Sequence, residues 1–457
     1  MGAIVNTSLK KQFIIAACLY LGQLLVGFTM GWTAPVLVKL QNEDETPLDH
    51  IISDAEASWI LSFIFLGTII GPYLSAYLYN VIGRKPCLFI GGGIVLSGNI
   101  SLALAKHIIV IFVGRFLSGV GNGIIFVTNL VYIGEFASSR IRGTLLSLTG
   151  FFHTLGTLVA YSIGPFLPYA SVCWFGVALN GLYIVAVVLF VSETAVYLVM
   201  KDKRTEAMDN LASLGRQDDI DEIVAKANEK PKSNIDQLTE MYTVRSNRRA
   251  TFIIIVLNIM QQSSGVIAVS AFVTIIFDMT GSNMESHVST IIIGVTQVVS
   301  ATIAPLLIDR TGRKSLLLVS TAVCSLSLAT LGTFFFLHVN NYPIAKDIQW
   351  LSLVSLMIFF IAYFAGLGII PNTYIGEMFT DTCRGFGGTF TSTISWLYGF
   401  GVSTAFGYML PAWGPAAVFW IFSGACAFAF VFSVIFVPET KGKSLLEIRE
   451  ILSKSWI

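Results

Sequence analysis

The feature that most restricts this chain is a series of twelve apolar runs, each long enough to cross a hydrocarbon layer of ~30 Å at ~1.5 Å per helical residue. They fall at about 12–37, 57–79, 86–105, 107–131, 144–166, 172–191, 251–277, 287–308, 315–337, 349–374, 386–410 and 414–437. Composition leads the same way. With 54% of 457 residues hydrophobic, 12% charged and a mean hydropathy of +0.75, the chain has too little polar material to cover a soluble globule of its size. The expectation is an all-α membrane protein with twelve transmembrane helices. Many glycines and serines lie inside the runs, as helix interfaces in lipid favour, because small residues let backbones approach. The first run follows Lys10-Lys11 but is too long for a secretory signal and has no convincing cleavage site, so it reads as an uncleaved first span.

The runs divide into two copies of one six-helix unit. Tyr132-Ile133-Gly134-Glu135 returns as Tyr374-Ile375-Gly376-Glu377, and each copy has Arg-Gly seven positions after its glutamate, at Arg142 and Arg384. Asn80-x-x-Gly83-Arg84-Lys85 is matched by Asp309-x-x-Gly312-Arg313-Lys314, and Ser192-Glu193-Thr194 by Pro438-Glu439-Thr440. Three matches in the same order make an internal repeat. The expected division is a first half at 1–195, a linker at 196–250, a second half at 251–437 and a tail at 438–457. Met208, Leu211 and Leu214 recur at helical spacing in the charged linker, which favours short amphipathic helices over a disordered segment.

An even number of spans puts both termini on one side. Of 28 lysines and arginines, only Lys39, Lys106, Arg115 and Lys346 fall inside spans or on the far side, so the side of the termini is expected to be cytoplasmic. The acidic loop Glu43-Asp44-Glu45 then faces outward, and a multi-pass plasma-membrane protein is expected. The six cysteines sit singly, without metal or disulfide spacing, and no metal or other cofactor is expected. No cluster has nucleophile–base spacing, so an enzyme is not expected. A net charge of +1 argues against nucleic acid, whose binding needs clustered cations. The expected partners are the lipid bilayer and a small solute, with the chain acting as a monomer.

In this topology Arg84, Glu135, Arg142, Glu193, Asp309, Arg313, Glu377, Arg384 and Glu439 all lie at the cytoplasmic ends of spans. Opposite charges on half-desolvated helix ends can pair as shaped, breakable contacts. Such a network would hold the cytoplasmic side shut and dissolve as the two halves rock. Lys85 and Lys314 read as ordinary interfacial anchors.

These motifs, with Gly114-Arg115, Gly119 and Gly123 in the fourth span, Gln261-Gln262-x-x-Gly265 in the seventh and Pro438-Glu439-Thr440-Lys441-Gly442, cover nearly the whole chain in order. The chain resembles the sugar porter family of the major facilitator superfamily, most closely the insect facilitated trehalose transporters and the mammalian facilitative glucose transporters. The resemblance implies the major facilitator fold and transport by alternating access. In proton-coupled members an aspartate of the first span works with the fourth-span arginine. The matching stretch here is Gly27-Phe28-Thr29, with Thr29 where that acid would stand. His153, in the fifth span, is a candidate proton site or a neutral bonding group between helices.

The candidate substrate groups are Gln261, Gln262, Gln297, Asn372, Trp396 and Tyr161. An amide offers a donor and an acceptor to adjacent sugar hydroxyls, and an indole covers the apolar C–H face. Gln297 also reads as helix–helix glue. Several positions depart from the family pattern: Ile267 replaces an asparagine, Phe364 a glutamate, Asn372 the site tryptophan, Tyr161 a sugar-facing glutamine and Leu130 a proline. The expected function is facilitative transport of trehalose or a hexose. A proton-linked carrier of sugar or another small neutral solute, and a transporter-like nutrient receptor, are the alternatives.

Overall fold

Among the described residues, eleven helices are long and apolar enough to cross a membrane. The last of them, Arg384–Phe436, has 53 residues, and its backbone leaves the helical region at Gly414 (φ 76°, ψ 164°) between Pro411 and Pro415. A bilayer needs ~20 residues, so this element supplies two spans and the total is twelve.

The computed structural model describes residues 2–228, 234–282, 284–380 and 382–454. The first half contains α1 (Gly2–Gly31), α2 (Thr33–Leu40), α3 (Asp54–Val81), α4 (Arg84–Ala103), α5 (Ile108–Phe136), α6 (Ser139–Ile163) and α7 (Tyr169–Phe190). Short helices follow: α8 (Ala195–Met200), α9 (Arg204–Ser213), α10 (Ile220–Asn228) and α11 (Asn234–Thr243). The second half runs through α12 (Arg245–Ser263), α13 (Val266–Ala271), α14 (Val273–Asp278), α15 (Ser286–Thr311), α16 (Arg313–Val339), α17 (Ile344–Asp347), α18 (Trp350–Ala365), α19 (Ile370–Met378), α20 (Arg384–Phe436) and α21 (Leu445–Ser453). No strand occurs among the described residues.

The chain forms two compact units, one of residues 1–51 with 63–230 and the other of 52–62 with 231–457. In the first, α1 packs along α6 and touches α5 and α7, while α4 lies against α5 and α7. In the second, α16 packs on α20 and α18, α12 on α20, and α15 on α18. Lipid is as apolar as leucine, so close packing rather than escape from solvent holds these helices together. Stacked rings such as Phe335 on Phe419, with centroids 5.5 Å apart, are one form of it.

Three spans are broken, and each break has a chemical solution. Span one is interrupted at Trp32, between α1 and α2. Span seven breaks at Ser264-Gly265, where Gly265 has φ 74° and a Cβ would sit 2.3 Å from the Phe422 ring, so only glycine fits. Span ten breaks between α18 and α19. Backbone groups freed inside lipid must find partners, and side chains supply them. Gln261 Nε2 donates to the carbonyls of Leu367 (3.0 Å) and Gly368 (2.9 Å), and the Ser320 hydroxyl donates to Ala362 O (2.7 Å) and accepts from Leu367 N (2.9 Å).

The short helices are tied to the ends of the spans nearest the charged motifs. Arg216 Nη1 donates to Glu135 O (2.6 Å) and Asn210 Nδ2 to Glu193 O (2.9 Å). Gln12 Nε2 donates to Leu214 O (2.8 Å). On the second unit the Thr382 hydroxyl donates to Glu240 Oε1 (2.7 Å) and Arg249 Nη1 to Leu452 O (2.9 Å).

Candidate functional site

Each half carries a charge cluster built from the repeated motifs, and the two have the same construction. In the first half Arg84 opens α4 after Gly83, and Glu193 follows α7. Among the described residues Glu193 pairs with no arginine side chain: its carboxylate accepts from the backbone N–H groups of Arg84 (2.9 Å), Lys85 (3.2 Å) and Thr194 (3.0 Å). The Arg84 guanidinium turns instead to Glu135 at the end of α5, with Nη2 at 2.7 Å and Nε at 3.2 Å from Oε1. In the second half Glu439 accepts from the backbone of Arg313 (3.0 Å), Lys314 (3.1 Å), Thr440 (3.0 Å) and Lys441 (2.9 Å), while Arg313 Nε donates to Glu377 Oε1 at 3.0 Å.

The construction follows from local chemistry. The first N–H groups of a helix have no partner within it, and glycine at the N-cap brings no side chain to bond them. A carboxylate from another helix end does so, aided by the helix dipole. Gly83 has φ 102°, and a Cβ there would lie 2.3 Å from Glu193 Oε2; Gly312 has φ 98°, and a Cβ would lie 2.9 Å from Glu439 Oε2. Glycine therefore makes room for the acid that replaces its cap. Burial works to raise the pKa of Glu439, but the four backbone donors outweigh it and hold the carboxyl below its ordinary value. Lys85 and Lys314, expected as interfacial anchors, donate through Nζ to Val188 O and Val434 O, both at 2.9 Å, bonding carbonyls near the ends of α7 and α20.

The halves differ at one threonine. Thr440 donates its hydroxyl to Glu377 Oε2 at 2.5 Å. Thr194, its counterpart, instead accepts from Tyr197 N as the N-cap of α8, which begins at the next residue. Glu135 Oε2 is consequently buried without a partner among the described residues, as is Arg142 Nε, although Arg142 Nη2 donates to Ala137 O at 3.2 Å. Arg384 opens α20. Asp309 lies in α15, and its side chain is outside the described residues.

Of the candidate substrate groups, Gln261 has its amide nitrogen committed to the span-ten break. Gln262 Nε2 donates to Ser395 Oγ at 3.0 Å, while its Oε1 is buried without a partner among the described residues; Gln297 Nε2 is in the same condition. Asn372 is exposed beside Pro371, Trp396 is half-buried and Tyr161 is buried.

In the first half Arg115 is fully buried. It donates to Thr29 O and to Thr33 Oγ1, both at 2.8 Å, across the break in span one, with its guanidinium 5.1 Å from the Trp32 ring centre. The Thr29 hydroxyl donates to Leu25 O at 2.8 Å. His153 lies where α6 approaches α1 and the Thr157 hydroxyl donates to Gly27 O at 3.1 Å; its Nδ1 is buried with no partner among the described residues.

Two residues of the same kind escaped sequence reasoning. Gln23 on α1 and Asn122 on α5 are buried, and neither amide has a partner for its nitrogen or its oxygen among the described residues. An unbonded amide inside lipid costs ~1–3 kcal/mol, so such groups mark places that water or solute would bond. The signal was present: both are single carboxamides within apolar runs.

Two six-helix halves with duplicated charge clusters, broken spans and carboxamides in their interiors define a membrane transporter of the major facilitator architecture. The inward-open structure of the xylose transporter XylE from E. coli has this fold: its TM-score with the chain is 0.79 at 22% identity, covering 96% of this chain and 99% of that one. The profile of the family described as sugar (and other) transporter matches residues 15–452, and the chain belongs to that family. Among similar proteins is the facilitated trehalose transporter Tret1 of Culex quinquefasciatus, 30% identical over 443 residues, covering 96% of this chain and 85% of that protein. The Tret1 of Polypedilum vanderplanki is 31% identical over 442 residues, covering 96% and 87%. The chain is thus a sugar transporter rather than an enzyme.

Proposed function

We propose that this protein is a facilitative carrier that moves trehalose or another neutral sugar down its gradient by alternating access. The observation that carries the uniport reading is Thr29. Its hydroxyl bonds the main chain, and its carbonyl accepts from Arg115, where proton-coupled members of the family place a titrating acid. A threonine cannot carry a proton through the cycle.

The sugar is bonded by Gln262 and Gln297, whose unpartnered amide atoms offer an acceptor and a donor, with Trp396 against its C–H face and Asn372 and Tyr161 as further lining groups. Gln261 acts through the span-ten break. A few hydrogen bonds of ~1 kcal/mol each give millimolar affinity, near about −4 kcal/mol, weak enough for release on the far side. The charge clusters stiffen the cytoplasmic end of each half. Arg142 and Arg384 engage the glutamates as that side closes, Asp309 belongs to the same gate, and both termini lie in the cytoplasm. The carrier works as a monomer in the plasma membrane.

Tracer uptake into proteoliposomes with and without an imposed pH gradient tests this reading. Uniport requires equilibration to the same level in both cases. Accumulation that follows the proton gradient would refute it and make His153→Gln the next variant to measure.

A further inference from the structure

The second unit has a pocket of about 330 Å³ at the end of its helices opposite the charge cluster. It is formed where α14 ends and where α15 and α18 begin, with α17 beside it. Phe277, Met284 and Leu353 give it apolar walls; Lys346, Asp347 and Trp350 bring a cation, an anion and an indole. Its volume is at the lower end of the ~300–1,000 Å³ of small-molecule sites. The loop side is held to α18 by Gln349 Nε2, which donates to Gly281 O at 2.9 Å.

Three observations say what it takes. Both α15 and α18 begin membrane spans, which puts the pocket at the level where a bilayer passes from hydrocarbon to headgroups. Lys346 and Asp347 are exposed, and neither side chain has a hydrogen-bond or ion-pair partner among the described residues. Trp350 is 61% exposed and lines the same space. A neighbouring cation and anion, unpaired and flanked by an indole, complement a ligand that carries both charges a short distance apart. The geometry points to a site for the headgroup of a zwitterionic phospholipid, independent of the sugar cargo. The Lys346 ammonium meets the phosphodiester, and the Asp347 carboxylate and the Trp350 ring face meet the choline or ethanolamine cation. The apolar walls receive the adjoining glycerol region. Phosphatidylglycerol carries the same phosphodiester but a neutral glycerol in place of the cation, which would leave Asp347 and the Trp350 ring without their charged partner, so the site discriminates by headgroup.

Native mass spectrometry of the purified full-length chain, titrated with short-chain phosphatidylcholine or short-chain phosphatidylglycerol, tests the proposal. One phosphatidylcholine is expected to be retained in preference to phosphatidylglycerol. An exposed charge pair or cation–ring contact is worth up to ~1 kcal/mol, so Asp347→Asn and Trp350→Leu should each weaken retention by up to about fivefold. Asp347→Lys should reverse the preference toward phosphatidylglycerol, a gain that misfolding cannot produce. Sugar equilibration by the Asp347 variants should match that of the unmodified chain. Equal retention of both lipids, an unreversed preference in Asp347→Lys, or displacement of phosphatidylcholine by trehalose would each overturn it, the last by making the pocket a sugar vestibule.

Discussion

Replacing Glu439 by glutamine should destabilise the second half, and by an amount that depends on pH in a defined direction. The carboxylate bonds four backbone N–H groups at the start of α16 and in the turn after α20. Glutamine keeps one acceptor oxygen and turns an NH2 group toward the amide of Lys314, which loses its partner. A hydrogen bond to a charged group contributes ~1.5–3 kcal/mol against ~0.5–1.5 for a neutral one, and an anion at a helix N-terminus adds ~0.3–1 kcal/mol. Because water reaches this carboxylate and screens it, a net loss of about 1–2 kcal/mol is expected. At ~2–4 °C per kcal/mol for a unit of this size, the midpoint of thermal unfolding in detergent falls by about 2–8 °C at neutral pH. The folded pKa is depressed, so the stabilisation is present in full above the unfolded glutamate value of ~4.3 and is lost as pH falls through the folded value. The gap between the unmodified chain and Glu439→Gln should therefore be widest at neutral pH and narrow in acid. A gap of the same size at pH 7 and pH 3, or none at pH 7, would refute the carboxylate-cap account.

Gly83→Ala and Gly312→Ala should each lower the melting temperature, since the backbone there costs ~1–3 kcal/mol for a residue with a side chain; Gly83 should suffer more, its Cβ position lying 2.3 Å from a carboxylate oxygen against 2.9 Å. Gln261→Leu removes the donor to two carbonyls, and the helix break should lose stability along with transport, whereas a direct sugar contact would raise KM at unchanged thermal stability. Trp396→Ala should raise KM about two- to tenfold with the turnover rate preserved, the ~0.5–1.5 kcal/mol of a ring contact; an unaltered KM removes it from the site. Glu377→Gln should slow net flux and increase labelling by a thiol reagent applied from the cytoplasmic side, and unchanged labelling would remove the glutamate from the gate.

The twelve spans were legible because lipid allows a backbone few solutions and hydropathy records where they apply. The element that blurs the count, α20, hides its division at Gly414 between two prolines that the sequence displays. The repeat was legible too, and it singled out Arg84, Glu135, Glu193, Arg313, Glu377 and Glu439. Which of these touch was not. Charge sign alone suggests arginine–carboxylate pairs throughout, yet Glu193 and Glu439 bond backbone amides, because glycine N-caps leave helix starts unsatisfied and only packing brings a distant acid to them. The threonine that follows each acid looks identical in both motifs. Thr440 bonds Glu377 and Thr194 caps α8, a difference set by what the next few residues fold into.

The sequence by itself determined the membrane class, the duplicated architecture and the family, since all three follow from the order of residues along the chain. Tertiary structure alone decided partnership: that Gln261 spans a helix break while Gln262 keeps an open acceptor, that Arg115 bonds the broken first span, and that Lys346, Asp347 and Trp350 share one pocket. The physical reason is that a polar group in a membrane interior acquires its role from the few atoms within about 3 Å of it, and those atoms can lie far away in the chain, 133 positions in the case of Gln262 and Ser395.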